Sequence, residues 1–368
     1  MPSSWQTANK RLSYTGARVL TEEQVQVWNR LCADSTIASK FPMYVMPVAE
    51  VLRLDELRPF EEVKDRLVEW TPGMGKVLFC SHTWLRYTHP DDEKKSKLKM
   101  LKAVLTKIRA KTIGDLPFLA AYYDPVHITG KQLHRDLSDG FVWFDMLSSA
   151  PHPTSRGSVN LHALSTTRLR SLGLVCTVPQ SDPVKMALAV SSIVRYVSDS
   201  SYFFVLAGPW RHENGTIRDE RSWGHRGWCR MEVCANALSP ASKPVVLCRS
   251  EHSLSVLPQG GMVKKSALFH TVGTGAFTVE SDRLVLGGVL NELLRVRKAF
   301  ALEVGDLVMF RILNAATGKL LQGGMGVPPP PVEPYDAWLA TMKFEGVDLA
   351  AEGADTGLTP LRYAVMSN

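Results

Sequence analysis

Four short apolar runs, separated by helical patterns, constrain this sequence more than any other feature. They are KVLFC (76–80), GFVWFD (140–145), SYFFVLAGP (201–209) and KPVVLC (243–248). None alternates apolar with polar residues, so none has a face meant for water. Strands of that kind belong to a parallel sheet covered on both sides. The segment 91–112, DDEKKSKLKMLKAVLTKIRAKT, lies between the first two runs. In it Leu98, Leu101, Leu105 and Ile108 form a helical stripe, and Lys94, Lys95, Lys97, Lys99, Lys102, Lys107 and Lys111 line the solvated remainder. Before the third run, Met186, Val190, Ile193, Val194 and Val197 recur at helical spacing. A further helix, RGWCRMEVCANAL (226–238), precedes the fourth. Alternating strands and helices predict a doubly wound parallel α/β sheet, whose ligands bind outside the carboxyl ends of the strands. The loops Ser81-His82-Thr83-Trp84, Asp145 and Gly208-Pro209-Trp210 are therefore expected to meet at one edge.

The α/β domain is expected over 71–250, interrupted at 146–183 by a stretch rich in Ser, Thr, Arg and Pro. Its residues 149–176 offer no periodic apolar face and are expected to be exposed and mobile. Residues 1–70 read as a helical extension. Residues 251–326 read as a mostly helical accessory region, with 275–286 extended and 288–321 as two helices broken near Gly305. Val327–Pro334, VPPPPVEP, is a stiff linker by composition, and 335–368 carries a helix and a motif taken up below.

Composition narrows the function classes. No run of about 18 apolar residues occurs, so no membrane span is expected. The six cysteines, Cys32, Cys80, Cys176, Cys229, Cys234 and Cys248, form no CxxC pair. That argues against a metal site and for a reducing, cytoplasmic setting. The net charge of +7 is concentrated in the lysine-rich helix without interleaved aromatics, so nucleic acid is not an expected partner.

One residue stands out. In RGWCRMEVCANAL, Trp228, Met231, Ala235 and Leu238 form an apolar stripe and Glu232 sits at its edge. Buried acids are paired as a rule. One reading pairs Glu232 with Arg226, Arg230 or His225. The other places it in a partly dry cleft beside Trp rings able to stack on a flat base. There a carboxylate can stabilise a sugar carbon with oxocarbenium character. On that second reading His82 and Trp84 are pocket walls, and Arg226 and Arg230 are arginines able to hold a pyrophosphate. Trp143 reads as core.

These motifs resemble the Toll/interleukin-1 receptor (TIR) superfamily. LFCSHTW gives a first strand ending in a Ser-containing loop, VWFD a second strand ending in Asp, and Trp228-Cys229-Arg230-Met231-Glu232 a W-C-x-x-E helix after the third strand. The chain is similar, more closely, to a TIR-like group of algae and other protists. The shared pieces are FCSHTW, His89-Pro90-Asp91 and RGWCRME, with WFDMLS and TVPQ separated here by 149–176. The resemblance implies a flavodoxin-like fold and, where such domains cleave NAD, Glu232 as the catalytic carboxylate. It implies a substrate pocket of His82, Trp84, Asp145, Arg226 and Trp228, with NAD as substrate and no bound cofactor. It equally implies a non-catalytic scaffold that self-associates. GADTGLTPLRYAVMSN at the end resembles the opening of an ankyrin repeat, through Asp355, Gly357, Thr359, Pro360, Leu361 and Ala364, which implies protein partners.

Overall fold

A computed structural model describes residues 20–117, 128–144, 183–257, 271–329, 331, 333–344, 359–360 and 363–364. The four apolar runs form strands β3 (Val77–His82), β4 (Phe141–Phe144), β5 (Tyr202–Leu206) and β8 (Val245–Ser250). They pair in parallel in the order β4-β3-β5-β8. Three further strands widen the sheet to seven. β1 (Tyr44–Pro47) runs antiparallel beside β4, β2 (Val68–Glu69) runs antiparallel beside β1, and β9 (Ser253–Leu257) runs antiparallel beside β8. A two-stranded ribbon, β6 (Trp210–Arg211) with β7 (Ile217–Arg218), stands apart from the sheet.

Helices cover both faces. Val77, Phe79, Trp143, Phe203, Val205, Val245 and Leu247 join one core with residues of the helices Glu22–Ala33, Pro183–Asp199, Gly227–Leu238, Ser281–Glu303 and Leu307–Leu320. Leu78, Cys80, Val142, Phe144, Phe204, Leu206, Val246 and Cys248 join a second core under the helices Val48–Arg53, Ser96–Arg109 and Gly130–Leu137. The alternation is the period of two along a strand, with both phases apolar. In the first core Phe79 stacks on Trp143 at 4.4 Å and on Phe203 at 5.2 Å between ring centroids.

The flanks differ from expectation in two places. The 1–70 segment supplies two strands as well as helices: Met46 and Pro47 pair with Val142 and Phe141, extending the sheet past β4. The prolines flanking FPMYVMP hid this strand from a helical reading of 1–70. Here Pro47 ends β1 and begins the next helix. Residues 281–286, expected as extended chain, are the first turns of the helix Ser281–Glu303. Its buried stripe begins at Leu286 and continues through Leu290, Leu293, Leu294 and Phe300. The break at Gly305 is as expected, with φ at 72°. Near the C-terminus Tyr363 is buried with Met342, Phe344 and Ala315, its ring 5.7 Å from that of Phe344. Of the ankyrin-like positions, Thr359, Pro360 and Ala364 are described; Asp355, Gly357 and Leu361 lie outside the described residues, as do 149–176. No helix among the described residues is long and apolar enough to cross a membrane.

Lys243, just before β8, shows what the packing costs. Its Nζ donates to the carbonyl of Val197 at 2.6 Å and to that of Ser198, at the end of the helix Pro183–Asp199. Burial lowers its pKa from 10.5 to about 7, against the opposing pull of Asp199. The unfolded chain therefore binds a proton between about pH 7 and 10.5 that the folded chain does not hold, and stability rises with pH across that window. Lys298, lowered by burial, adds in the same direction. The buried thiols of Cys80, Cys234 and Cys248, raised above 9.0, reverse the trend once unfolded thiols ionise. Urea unfolding at pH 7.0 and 8.5 is expected to show a gain of about 1–2 kcal/mol at the higher pH. Lys243→Met is expected to remove most of that pH dependence, whatever its effect on stability itself.

Candidate functional site

The chain leaves β3 for β4 on one side, while β5 lies on the other. The carboxyl ends of β3 and β5 are thus the point at which strand order reverses, where open α/β sheets place their ligands. β3 ends there in Ser81 and His82, both buried.

Ser81 shares the phase of Phe79 and faces the Gly227–Leu238 helix. Its hydroxyl donates a short hydrogen bond to Glu232 Oε2 and accepts one from Trp223 Nε1 at 2.8 Å. Glu232 is 1% exposed and Trp223 7% exposed. Trp223 belongs to the short helix Glu220–Gly224, fixed at its start by a capping box between Asp219 and Ser222. Trp223 thus ties that helix to the Ser81–Glu232 pair. The sequence reading missed both Ser81 and Trp223 as partners of the carboxylate. Strand phase was the available signal for Ser81, two residues after Phe79.

His82 has the opposite phase, that of Leu78 and Cys80. Its ring lies 4.3 Å from that of Phe144, and its Nδ1 is 3.1 Å from Lys97 Nζ. Lys97 is completely buried. Its ammonium also donates to the carbonyls of Thr83, at 2.6 Å, and Pro90. Three donors thus meet three acceptors. With Lys97 taken as an ammonium, the tautomer assigned to His82 has Nδ1 as the acceptor and the ring proton on Nε2. Lys97 was expected on the solvated face of its helix. It stands four residues before Leu101 and seven before Val104, on the buried stripe. The helix start is satisfied by two acids. Asp91 accepts from the backbone amides of Lys97 and Leu98 at 2.9 Å, and Asp92 from that of Ser96 at 2.8 Å.

The other expected site residues are dispersed. Trp84 is partly buried against the second core, whereas Trp228 is buried in the first. Trp228 Nε1 donates to Asp282 at 2.9 Å. The two rings therefore lie on opposite faces of the sheet. Arg226 donates to Thr278 Oγ1 at 3.0 Å. Arg230 donates to the carbonyls of Gly224 and Thr271 and to Thr274 Oγ1. Neither arginine takes the role of Glu232's partner that the sequence suggested; Ser81 does. Asp145 lies outside the described residues. The link between the two faces is through the backbone, where Cys229 Sγ lies 3.7 Å from the His82 carbonyl. Among the described residues no cluster of His, Cys, Asp and Glu is placed to hold a metal ion. No family model, curated protein or solved structure matches this chain.

The contacts of Lys97 make it far more sensitive than its neighbours. Lys97→Met leaves two carbonyls and a ring nitrogen without a donor, and is expected to cost about 2–5 kcal/mol in urea unfolding. Lys99→Met, on the exposed side of the same helix, is expected to stay within about 0.5 kcal/mol of the parent.

Proposed function

We propose that this chain is a TIR-like signalling module in which Glu232 is the carboxylate for cleaving the nicotinamide–ribose bond of NAD, held here in a closed form. The observation that supports this is the place of Glu232: a buried carboxylate hydrogen-bonded to Ser81 at the carboxyl end of β3, beside the point of strand reversal. In the reaction the bond between the ribose carbon and the pyridinium nitrogen breaks, and its electron pair leaves with neutral nicotinamide. The ribose carbon becomes oxocarbenium-like, and water then bonds to it with loss of a proton. A carboxylate shielded from bulk water stabilises that positive charge more strongly than one in solvent. The Ser81 hydroxyl orients the carboxylate. Trp223 must withdraw before a ribose can reach it, so opening the Glu220–Gly224 helix is part of this reading.

The second reading is a non-catalytic interaction module of the same architecture, with the C-terminal ankyrin-like segment contributing partner surface. Its support is the near-complete burial of Glu232, which suits a structural tie.

Glu232→Gln keeps the volume and an acceptor for Ser81 while removing the charge. Nicotinamide release from NAD and the melting temperature are to be measured on the parent and this variant. The catalytic reading predicts release by the parent, loss of release in the variant, and little change in melting. A parent that releases no nicotinamide, with a variant destabilised by about 1–3 kcal/mol, selects the structural tie.

A further inference from the structure

We propose that Arg230 is the residue that positions Trp223 at the Ser81–Glu232 pair, and that through it the C-terminal helical region sets how readily Trp223 lets go. Arg230 stands two residues before Glu232 on the helix Gly227–Leu238 and is 8% exposed. Its Nε donates to the Gly224 carbonyl at 2.7 Å. Its Nη1 donates to the Thr271 carbonyl at 3.0 Å and to Thr274 Oγ1 at 2.9 Å. One guanidinium thus joins three pieces of chain: the Glu232 helix, the end of the helix Glu220–Gly224, and the turn Val272–Thr274.

The helix Glu220–Gly224 has five residues and cannot hold itself together. Its start is fixed by the Asp219 capping box and by the ion pair of Glu220 with Arg249. Its end is fixed by Arg230. Gly224, whose carbonyl Arg230 takes, directly follows Trp223, whose indole donates to Ser81 Oγ at 2.8 Å. The two hydrogen bonds sit on successive residues, so a shift in one displaces the other. The three acceptors of Arg230 are neutral oxygens. Burying a guanidinium among them is a costly way to fill space. What arginine supplies in return is a rigid fork of donors that fixes several acceptors relative to one another.

The turn on the far side of Arg230 is itself held by the C-terminal helices. Thr274 Oγ1 donates to the Thr271 carbonyl at 3.0 Å. Val272 is buried in the first core with Leu290 and Leu320. A Cβ on Gly273 would lie 2.1 Å from the Gln322 carbonyl oxygen, so the turn is pressed against the chain that leaves the helix Leu307–Leu320. A displacement there reaches Trp223 by way of Thr274, Arg230 and Gly224. That Trp223 thereby governs access to Glu232 rests on the proposed function, whereas the positioning role does not.

The test is hydrogen exchange of the Trp223 indole proton, followed by NMR on the full chain beside the backbone amides of β5. Arg230→Gln is expected to speed indole exchange at least about tenfold beyond any change in those amides, as for a lost charged hydrogen bond. Thr274→Val removes one acceptor and leaves the arginine in place. It is expected to speed indole exchange about fivefold, and it decides the matter where Arg230→Gln does not fold. Arg295→Gln, on an exposed arginine of the helix Ser281–Glu303 paired with Glu292, should leave the indole at the parent rate. Nicotinamide release from NAD is measured on the same proteins. Faster release by Thr274→Val than by the parent supports both the positioning role and the proposed function. Faster indole exchange with no release from any of them supports the positioning role and rejects the catalytic reading. Unchanged indole exchange in Thr274→Val, or a rise matched by the β5 amides, overturns the proposal.

Discussion

The burial of β3 on both faces governs this structure. From Val77 to His82 every residue is buried, so each side chain must find its partner within one core or the other. Apolar residues satisfy that requirement by packing. At the carboxyl end the chain turns polar, and the requirement becomes specific: Ser81 needs a hydrogen-bonding partner on one face and His82 on the other. The Gly227–Leu238 helix supplies Glu232 and the Ser96–Arg109 helix supplies Lys97. Two buried charged residues thus anchor two helices to successive residues of one strand. Each is tied in a dry setting by hydrogen bonds, Glu232 Oε2 with Ser81 and Lys97 Nζ with the Thr83 and Pro90 carbonyls, and each is expensive to strip of them.

The same geometry bears on function. Successive strand residues point apart, so the carboxylate and the imidazole at this edge act on different sides of the sheet. Lys97 locks His82 to its own loop through the carbonyls of Thr83 and Pro90, which suits a rigid wall. Glu232 is joined through Ser81 to Trp223, which stands on a five-residue helix. On the proposed function, the movable part of the site is that helix.

Much of the architecture was legible in the sequence. Four strands apolar in both phases predicted a parallel sheet with two covered faces, and 3.6-residue stripes located the principal helices. The edge strands were less legible. β1 is four residues long and bounded by prolines, and β2 is two residues long, too short for periodicity to register. At the site, Glu232 was legible as an acid out of place on an apolar helix. Its partner was not, because arginines nearby in sequence drew attention from Ser81, 151 residues away. Strand phase would have separated His82 from Glu232 at once. Lys97 was hidden by its own surroundings, since a lysine among lysines reads as solvated even when it stands on the apolar stripe.

The central claim is that Glu232 is held by Ser81 on one face of β3, in place of the arginines near it in sequence. A double-mutant cycle between Ser81→Ala and Glu232→Leu, read by urea unfolding, tests it most directly. Each single change strands a buried polar group, and the pair together removes both. The structure predicts a coupling energy of about 1–2 kcal/mol, with the double variant more stable than the two single costs imply. The cycle between Arg226→Gln and Glu232→Leu should give a coupling near zero, since Arg226 donates to Thr278 instead. Additive costs in the first cycle, or strong coupling in the second, would contradict the account.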